Sequence, residues 1–116
     1  MIEPLRGEIW LIEFDPGRGA EIGKTRPAVI ISVPDVGRLP LRIIVPITDW
    51  KENYKYLLWM RAIEPSRING LSKLSAADAF QCKSFSLERF RKKIGRLADE
   101  DLREVTDSVA LCIGKT

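Results

Sequence analysis

At 116 residues and 13.2 kDa, with 45% hydrophobic residues, eight glycines and seven prolines, the chain has the size of one ordinary globular domain spanning residues 1–116. Large multidomain enzymes are excluded, and the absence of histidine excludes His-based triads, His-containing zinc sites and the paired imidazoles of common ribonucleolytic chemistry. Nineteen Lys and Arg against sixteen Asp and Glu leave a formal charge of +3, mildly basic and compatible with a polyanionic partner.

The segment Glu8 to Phe14 is rich in β-branched and aromatic residues and stops at Asp15-Pro16-Gly17, a turn signal, so it predicts a first strand. Gly17 to Arg26 has no apolar period and reads as a long exposed loop. From Pro27 the continuous apolar run Ala28 to Val33 predicts a strand buried on both faces, and Arg42 to Thr48 its neighbour. Pro46 cannot donate to a ladder, so an edge, a bulge or a bend is expected there. Leu57 to Ile63 predicts a further strand, Asn69-Gly70 a turn, and Ser75 to Phe85 an extended segment broken near Gln81. About five strands follow from this reading. A short helical turn is expected to open at Ser86 and carry Leu87 and Phe90 inward. After Asp99, read as an N-cap, the stripe Leu102, Val105, Val109 and Cys112, widened by Ile113, predicts an amphipathic helix that stops at Gly114. Short strands followed by one terminal helix give a mainly β fold, a small strongly curved antiparallel sheet or barrel covered by the helix.

The N-terminal segment has neither a cationic leader nor a long apolar core, and no apolar stretch approaches the roughly 20 residues of a membrane helix. A soluble, cytoplasmic protein with no membrane partner is expected. Cys82 and Cys112 lack metal-ligand spacing and are read as reduced, buried, small apolar residues. The +3 excess lies in the second half, where residues 59–116 carry eleven basic and eight acidic side chains. Its densest run, Arg89 to Arg96, fits a solvated face or, with Phe90 among the cations, a surface tracking a phosphate backbone.

The loop Glu21-Ile22-Gly23-Lys24-Thr25-Arg26-Pro27 sets a carboxylate and two cations directly before a buried strand. The planar five-donor guanidinium of Arg26 matches phosphate oxygens bidentately, Lys24 adds a point charge, and Glu21 is placed to orient the arginine. The alternative is a salt-bridge cluster that merely fixes the loop. Thr48, ending its strand, offers a neutral hydroxyl donor or satisfies its own backbone. Trp50 and Trp59 suit base stacking or packing, and Gln81 suits a base edge or backbone bridging.

In chain order, Arg6-Gly7-Glu8-Ile9-Trp10, Glu21-x-Gly23-Lys24-x-Arg26-Pro27-Ala28-Val29-Ile30, Val45-x-Ile47-Thr48, Asp78-x-x-Gln81 and Ile94-Gly95-x-Leu97 resemble the MazF/PemK-type toxins, from about Arg6 to Gly114. The resemblance implies an SH3-like barrel of the CcdB/PemK type with a C-terminal helix. It implies the toxin of a type II toxin–antitoxin pair: a metal-independent, cofactor-free, sequence-selective endoribonuclease that cuts single-stranded RNA to 2′,3′-cyclic phosphate and 5′-hydroxyl ends. The implied partners are a second copy, forming a homodimer with an RNA groove, and a cognate antitoxin, with DNA reached only through the antitoxin. The family's catalytic arginine falls on Arg26, its threonine on Thr48 and its loop glutamate on Glu21, with Lys24, Thr25, Gln81 and Trp50 along the RNA. Since arginine hardly deprotonates, Arg26 is read as the charge stabiliser and possible acid and Thr48 as the donor, with the base left between Glu21 and a water. Ala20, Ile22 and Asp49-Trp50 depart from the polar residues usual beside the groove, which bears on the recognition sequence. Two other readings are a non-catalytic barrel-type toxin inhibiting a protein such as gyrase, and a simple nucleic-acid binder using Arg89 to Arg96.

Overall fold

In a computed structural model, residues 3–34 and 39–115 are described. Among them lie seven strands and one α-helix: β1 (Glu8–Glu13), β2 (Thr25–Ile30), β3 (Leu41–Asp49), β4 (Met60–Ile63), β5 (Ser75–Asp78), β6 (Lys83–Ser86), β7 (Phe90–Arg96) and α1 (Asp99–Cys112). All pairings are antiparallel, in the order β4-β5-β3-β2-β1-β7, with β6 also on β3.

The alternating faces of β1, β2 and β3 generate two cores. Ile9, Val29, Val45 and Ile47 face one way and join Ile63, Ala77, Leu97 and Val105 beneath α1. Trp10, Ile12, Ala28, Ile30 and Ile44 face the other way and meet Phe14, Phe85 and Phe90. This two-sided burial is why β2 reads as an unbroken apolar run. The strand nevertheless starts earlier than expected, at Thr25, and ends at Ile30. Both residues before Pro27 are drawn into the ladder by β1, where Ile12 pairs with Arg26 and Glu13 with Thr25.

Pro46 does not mark an edge; it is buried inside the nine-residue β3. It is the last β3 residue paired with β2, and from Ile47 onward β3 pairs with β5. A residue lacking an N–H stands where the strand changes neighbours, so no orphan donor is left there. The break expected near Gln81 is a 3-10 turn, Ala79–Gln81, between β5 and β6.

The basic run Arg89 to Arg96 is a strand after all. β7 pairs with β1, but its register slips at Ile9/Trp10 and again at Leu11/Ile12. Two bulges destroy the period-two pattern, which explains why the sequence shows only a charge cluster. Phe90 points into the core after a 3-10 turn over Leu87–Arg89 capped by the Ser86 hydroxyl, as expected, while Arg91, Lys92 and Lys93 stay exposed. Much of the cationic charge is already engaged: Arg89 donates to the carbonyls of Glu13 and Asp15, Arg91 to that of Glu88, and Lys93 pairs with Glu8 at 2.8 Å.

The helix begins one residue earlier than the cap reading. Ala98 is the N-cap, with no side-chain bond, and Asp99 is the first helical residue, so Asp99, Glu100 and Asp101 complement the dipole without capping. Leu102, Val105 and Val109 pack on the first core, whereas Ile113 lies beyond the helix and is 75% exposed. Gly114 takes φ 78°, the left-handed stop expected of it. No helix among the described residues is long and apolar enough to cross a membrane.

Candidate active site

The Arg6-Gly7-Glu8 opening is a structural clamp. Gly7 sits at φ 88°, donates to Ile30 O at 2.8 Å and accepts from Leu97 N at 2.7 Å, tying the N-terminal segment to β2 and to the start of the helix region. Arg6 donates to the Ile31 carbonyl. Glu8 collects Lys93, the Leu5 N–H and the Trp10 indole N–H; burial opposes its charge, but these partners hold its carboxyl below the usual range.

Between β1 and β2 the loop folds on itself. The Asp15 carboxylate accepts from Lys24 N at 2.6 Å, and Phe14 N donates to Lys24 O at 2.8 Å, closing the loop at its neck. Lys24 takes φ 65° there, a left-handed conformation that a lysine holds only because the neck fixes it. Arg26 follows immediately on β2, half-buried, its Nε donating to Gly23 O at 3.2 Å. The β2–β3 ladder ends at Ala28 with Pro46, so Arg26 and Thr48 each lie two residues past its last pair, at the same end of the two strands, where β3 turns from β2 to β5. Thr48 is itself paired with Ala76 of β5 and is half-buried.

Glu21 does not orient Arg26. Its carboxylate accepts from Arg18 N at 2.8 Å and from Lys83 at 3.4 Å, which closes a turn and ties the loop to β6. The Arg18 N–H first, then Lys83, hold its carboxyl below the usual range. Thr25 points away from Arg26, its hydroxyl toward Glu13 at 3.4 Å. Trp50 follows the end of β3, half-buried and edge-on to Tyr54 at 5.8 Å, and its N–H donates to Leu74 O. Trp59 is edge-on to Phe80 at 6.2 Å, and Phe80 is 68% exposed. Gln81 reaches the loop: its Oε1 accepts from Ile22 N at 2.8 Å and its Nε2 donates to Asp78 Oδ2 at 3.1 Å. These residues line a cleft of about 590 Å³ between the loop and the β5–β6 corner, walled by Ala20, Glu21, Trp59, Asp78, Phe80 and Lys83.

Asp78 escaped the sequence reading as a site residue; it stood there only as part of a motif. It is 5% exposed, and its Oδ1 has no hydrogen-bond partner among the described residues. Burial pushes its carboxyl above the usual range, partly offset by Gln81 and the backbone N–H groups of Phe80 and Gln81. Folded Asp78 therefore keeps its proton to higher pH than the unfolded chain. The stability this lends is full below the ordinary value of 3.8 and is lost as pH rises through the raised one. Asp78→Asn, isosteric and always neutral, is expected to be more stable than the wild type near neutral pH and to lose that advantage at about pH 3.5, as denaturant unfolding at both values would read. The two thiols are free and half-buried rather than fully interior. Burial pushes both up, with Cys112 adding to the effect on Cys82 and Asp78 to that on Cys112, which suits unreactive thiols.

The model of a family described as PemK-like, MazF-like toxin of type II toxin-antitoxin system matches residues 5–113. Endoribonuclease MazF9 of Mycobacterium tuberculosis is 30% identical over 112 residues, covering 91% of this chain and 92% of that protein. A crystal structure of MazF from Deinococcus radiodurans superposes with a TM-score of 0.79 at 24% identity, over 96% of each chain. An endoribonuclease in complex with its cognate antitoxin, from a mycobacterial species, superposes with a TM-score of 0.75 at 16% identity, over 98% of each. The mainly β fold with one C-terminal helix is thus the fold of these proteins, and with the match running over nearly its whole length the chain belongs to the PemK-like, MazF-like toxins of type II toxin–antitoxin systems.

Proposed function

We propose that this chain is the endoribonuclease toxin of a type II pair, cutting single-stranded RNA at the Arg26–Thr48 face without metal or cofactor. It works in the cytoplasm as a homodimer, is silenced by a cognate antitoxin and meets DNA only through that antitoxin. The whole chain serves as one toxin domain. What supports this reading is that Arg26 and Thr48, both half-buried, come at the same end of β2 and β3, each two residues past the last β2–β3 pair.

The neighbouring 2′-oxygen attacks phosphorus in line as the P–O5′ bond breaks, which leaves a 2′,3′-cyclic phosphate and a 5′-hydroxyl. Arg26 binds the phosphoryl oxygens, where charge grows in the transition state, and Thr48 donates a further hydrogen bond to them. Glu21 is a poor acceptor for the 2′-hydroxyl proton, because its carboxylate is held in the charged form by the Arg18 N–H and Lys83. A water takes that proton, and the proton so released to solvent is delivered by water to the departing 5′-oxygen, while Arg26 keeps its charge. Lys24 and Trp50 flank the face and bind the RNA on either side of the cut. Thr25 contributes through the β2 start, its hydroxyl being turned to Glu13.

The test is incubation of the purified protein with a single-stranded RNA pool in EDTA, with fragment ends identified chemically. Cleavage to 2′,3′-cyclic phosphate ends is expected; intact RNA, or cutting that stops with chelator, overturns the reading. Thr48→Val is expected to slow cleavage roughly 10²-fold, the usual cost of one transition-state donor, with the melting temperature nearly unchanged.

A further inference from the structure

The buried carboxylate of Asp78 takes no part in the chemistry above, yet it is the root of a hydrogen-bonded chain that ends on the loop before Arg26. The Ile22 N–H can only donate, so the Gln81 atom that meets it at 2.8 Å is the oxygen. That fixes the amide orientation and turns Nε2 toward Asp78 Oδ2 at 3.1 Å and Ala20 O at 3.4 Å. Asp78 has one wall to hold this amide against: it is 5% exposed at the end of β5, and its other oxygen is buried without a partner. Gln81 alone, at the end of a 3-10 turn, could rotate; with Asp78 behind it, rotation costs a hydrogen bond to a buried carboxyl whose other oxygen already lacks a partner.

We propose that Asp78 is a positioning residue that acts through Gln81: it locks the amide that clasps Ala20 and Ile22 and thereby sets the loop from which Arg26 emerges. Gln81 is accordingly a clasp on the loop before it is a contact to RNA, since both of its amide atoms already have protein partners. The loop is also held by the Asp15–Lys24 neck, by the Arg89 bond to the Asp15 carbonyl, by Ile22 packed on the second core and by the exposed Glu21–Lys83 ion pair, of which the last contributes little. The Asp78–Gln81 anchor is the one that hydrogen-bonds the backbone of both Ala20 and Ile22, just ahead of the Gly23 carbonyl that receives the Arg26 Nε. Asp78 needs only an acceptor at Oδ2 for this, so asparagine should replace it and alanine should not.

The effect on cleavage rests on the function proposed above, so the experiment has two independent arms. The first is amide hydrogen exchange at Ile22 in the free protein. Asp78→Ala and Gln81→Ala should each speed it about 10-fold, the equivalent of one hydrogen bond, and the double variant no further, while Asp78→Asn stays at the wild-type rate. The second is single-turnover cleavage of a 5′-labelled randomised single-stranded RNA pool. Asp78→Ala should lower the saturated rate about 10- to 100-fold with little change in half-saturating protein concentration, as expected of misplaced rather than lost groups, and Asp78→Asn should restore it. Should Asp78→Ala fail to fold, Asp78→Leu, which refills the volume without an acceptor, takes its place. Wild-type exchange at Ile22 in the acceptor-less variant, or an Asn variant no better than Ala in exchange, overturns the proposal. A wild-type protein that leaves RNA intact overturns the enzymatic reading instead, and the exchange arm still decides the clasp.

Discussion

Arg26→Ala is expected to abolish RNA cleavage, by about 10³-fold or more, while leaving the fold intact. The large effect follows from what the chain lacks. With no histidine and no metal in the proposed mechanism, Arg26 is the strongest charge available to the phosphoryl oxygens, and its loss is not covered by a neighbour: Lys24 is exposed at the loop neck, to one side of the cut, and Lys83 is paired with Glu21. The small structural effect follows from how little the side chain supports, a single 3.2 Å bond from Nε to Gly23 O at the edge of the second core. Arg26→Lys should recover little of the activity, because an ammonium cannot grip two phosphoryl oxygens in one plane. Cleavage rates on a single-stranded RNA pool, with circular dichroism and gel filtration of each variant, check all three statements; an alanine variant that cuts at the wild-type rate would remove Arg26 from the mechanism.

The largest expected loss of stability comes from one carbon atom far from that face. A Cβ on Gly95 would stand 2.5 Å from both the Asn69 and Ile68 carbonyl oxygens, and one on Gly70 would strike the Ile94 carbonyl from a backbone at φ 71°. The two glycines let the loop after β4 lie directly on the bulged end of β7, where Arg96 N also donates to Ile68 O at 3.0 Å. The loop has no slack with which to retreat. Asn69 is buried and satisfies the Ser66 and Leu71 N–H groups with one oxygen while its own amide donates to Glu64 O. Gly95→Ala must therefore move backbone, at a cost on the order of 3 kcal/mol and roughly 10–20 °C in melting temperature. Gly114→Ala, with a similar positive φ but nothing within 4 Å, should cost only about 1 kcal/mol. Thermal unfolding of the two variants side by side separates close approach from conformational preference.

What could be read from the sequence was whatever depends on burial alone. The strands around Ile9, Val29 and Val45 and the stripe Leu102, Val105 and Val109 announce themselves because each is packed on a core face that selects their residue types. The motif residues Arg26 and Thr48 were legible only through family resemblance, since neither stands out from its neighbours by burial or period. What escaped depends on tertiary detail. β7 hid behind two bulges that broke its alternation, and Pro46 looked like an interruption because a change of pairing partner leaves no local trace. Glu21 reads as orienting Arg26 from within the same loop, but the Arg18 N–H and Lys83, 62 residues further along the chain, take its oxygens instead. Asp78 looked like one more polar residue until burial removed water from its oxygens.

The exposed Arg91, Lys92 and Lys93 belong to the outermost strand of the sheet, whose end from Ile94 to Arg96 is met by the loop carrying Ile68, Asn69 and Gly70. An uncovered strand margin is a template on which another chain can add itself indefinitely, the route to fibrous aggregates. Successive cations along that margin make any such addition bring like charges together, and the bulges twist the margin out of the flat shape that stacking requires. The densest positive run in the chain thus keeps the folded protein dispersed, a service to its solubility that it would perform even where no RNA is present.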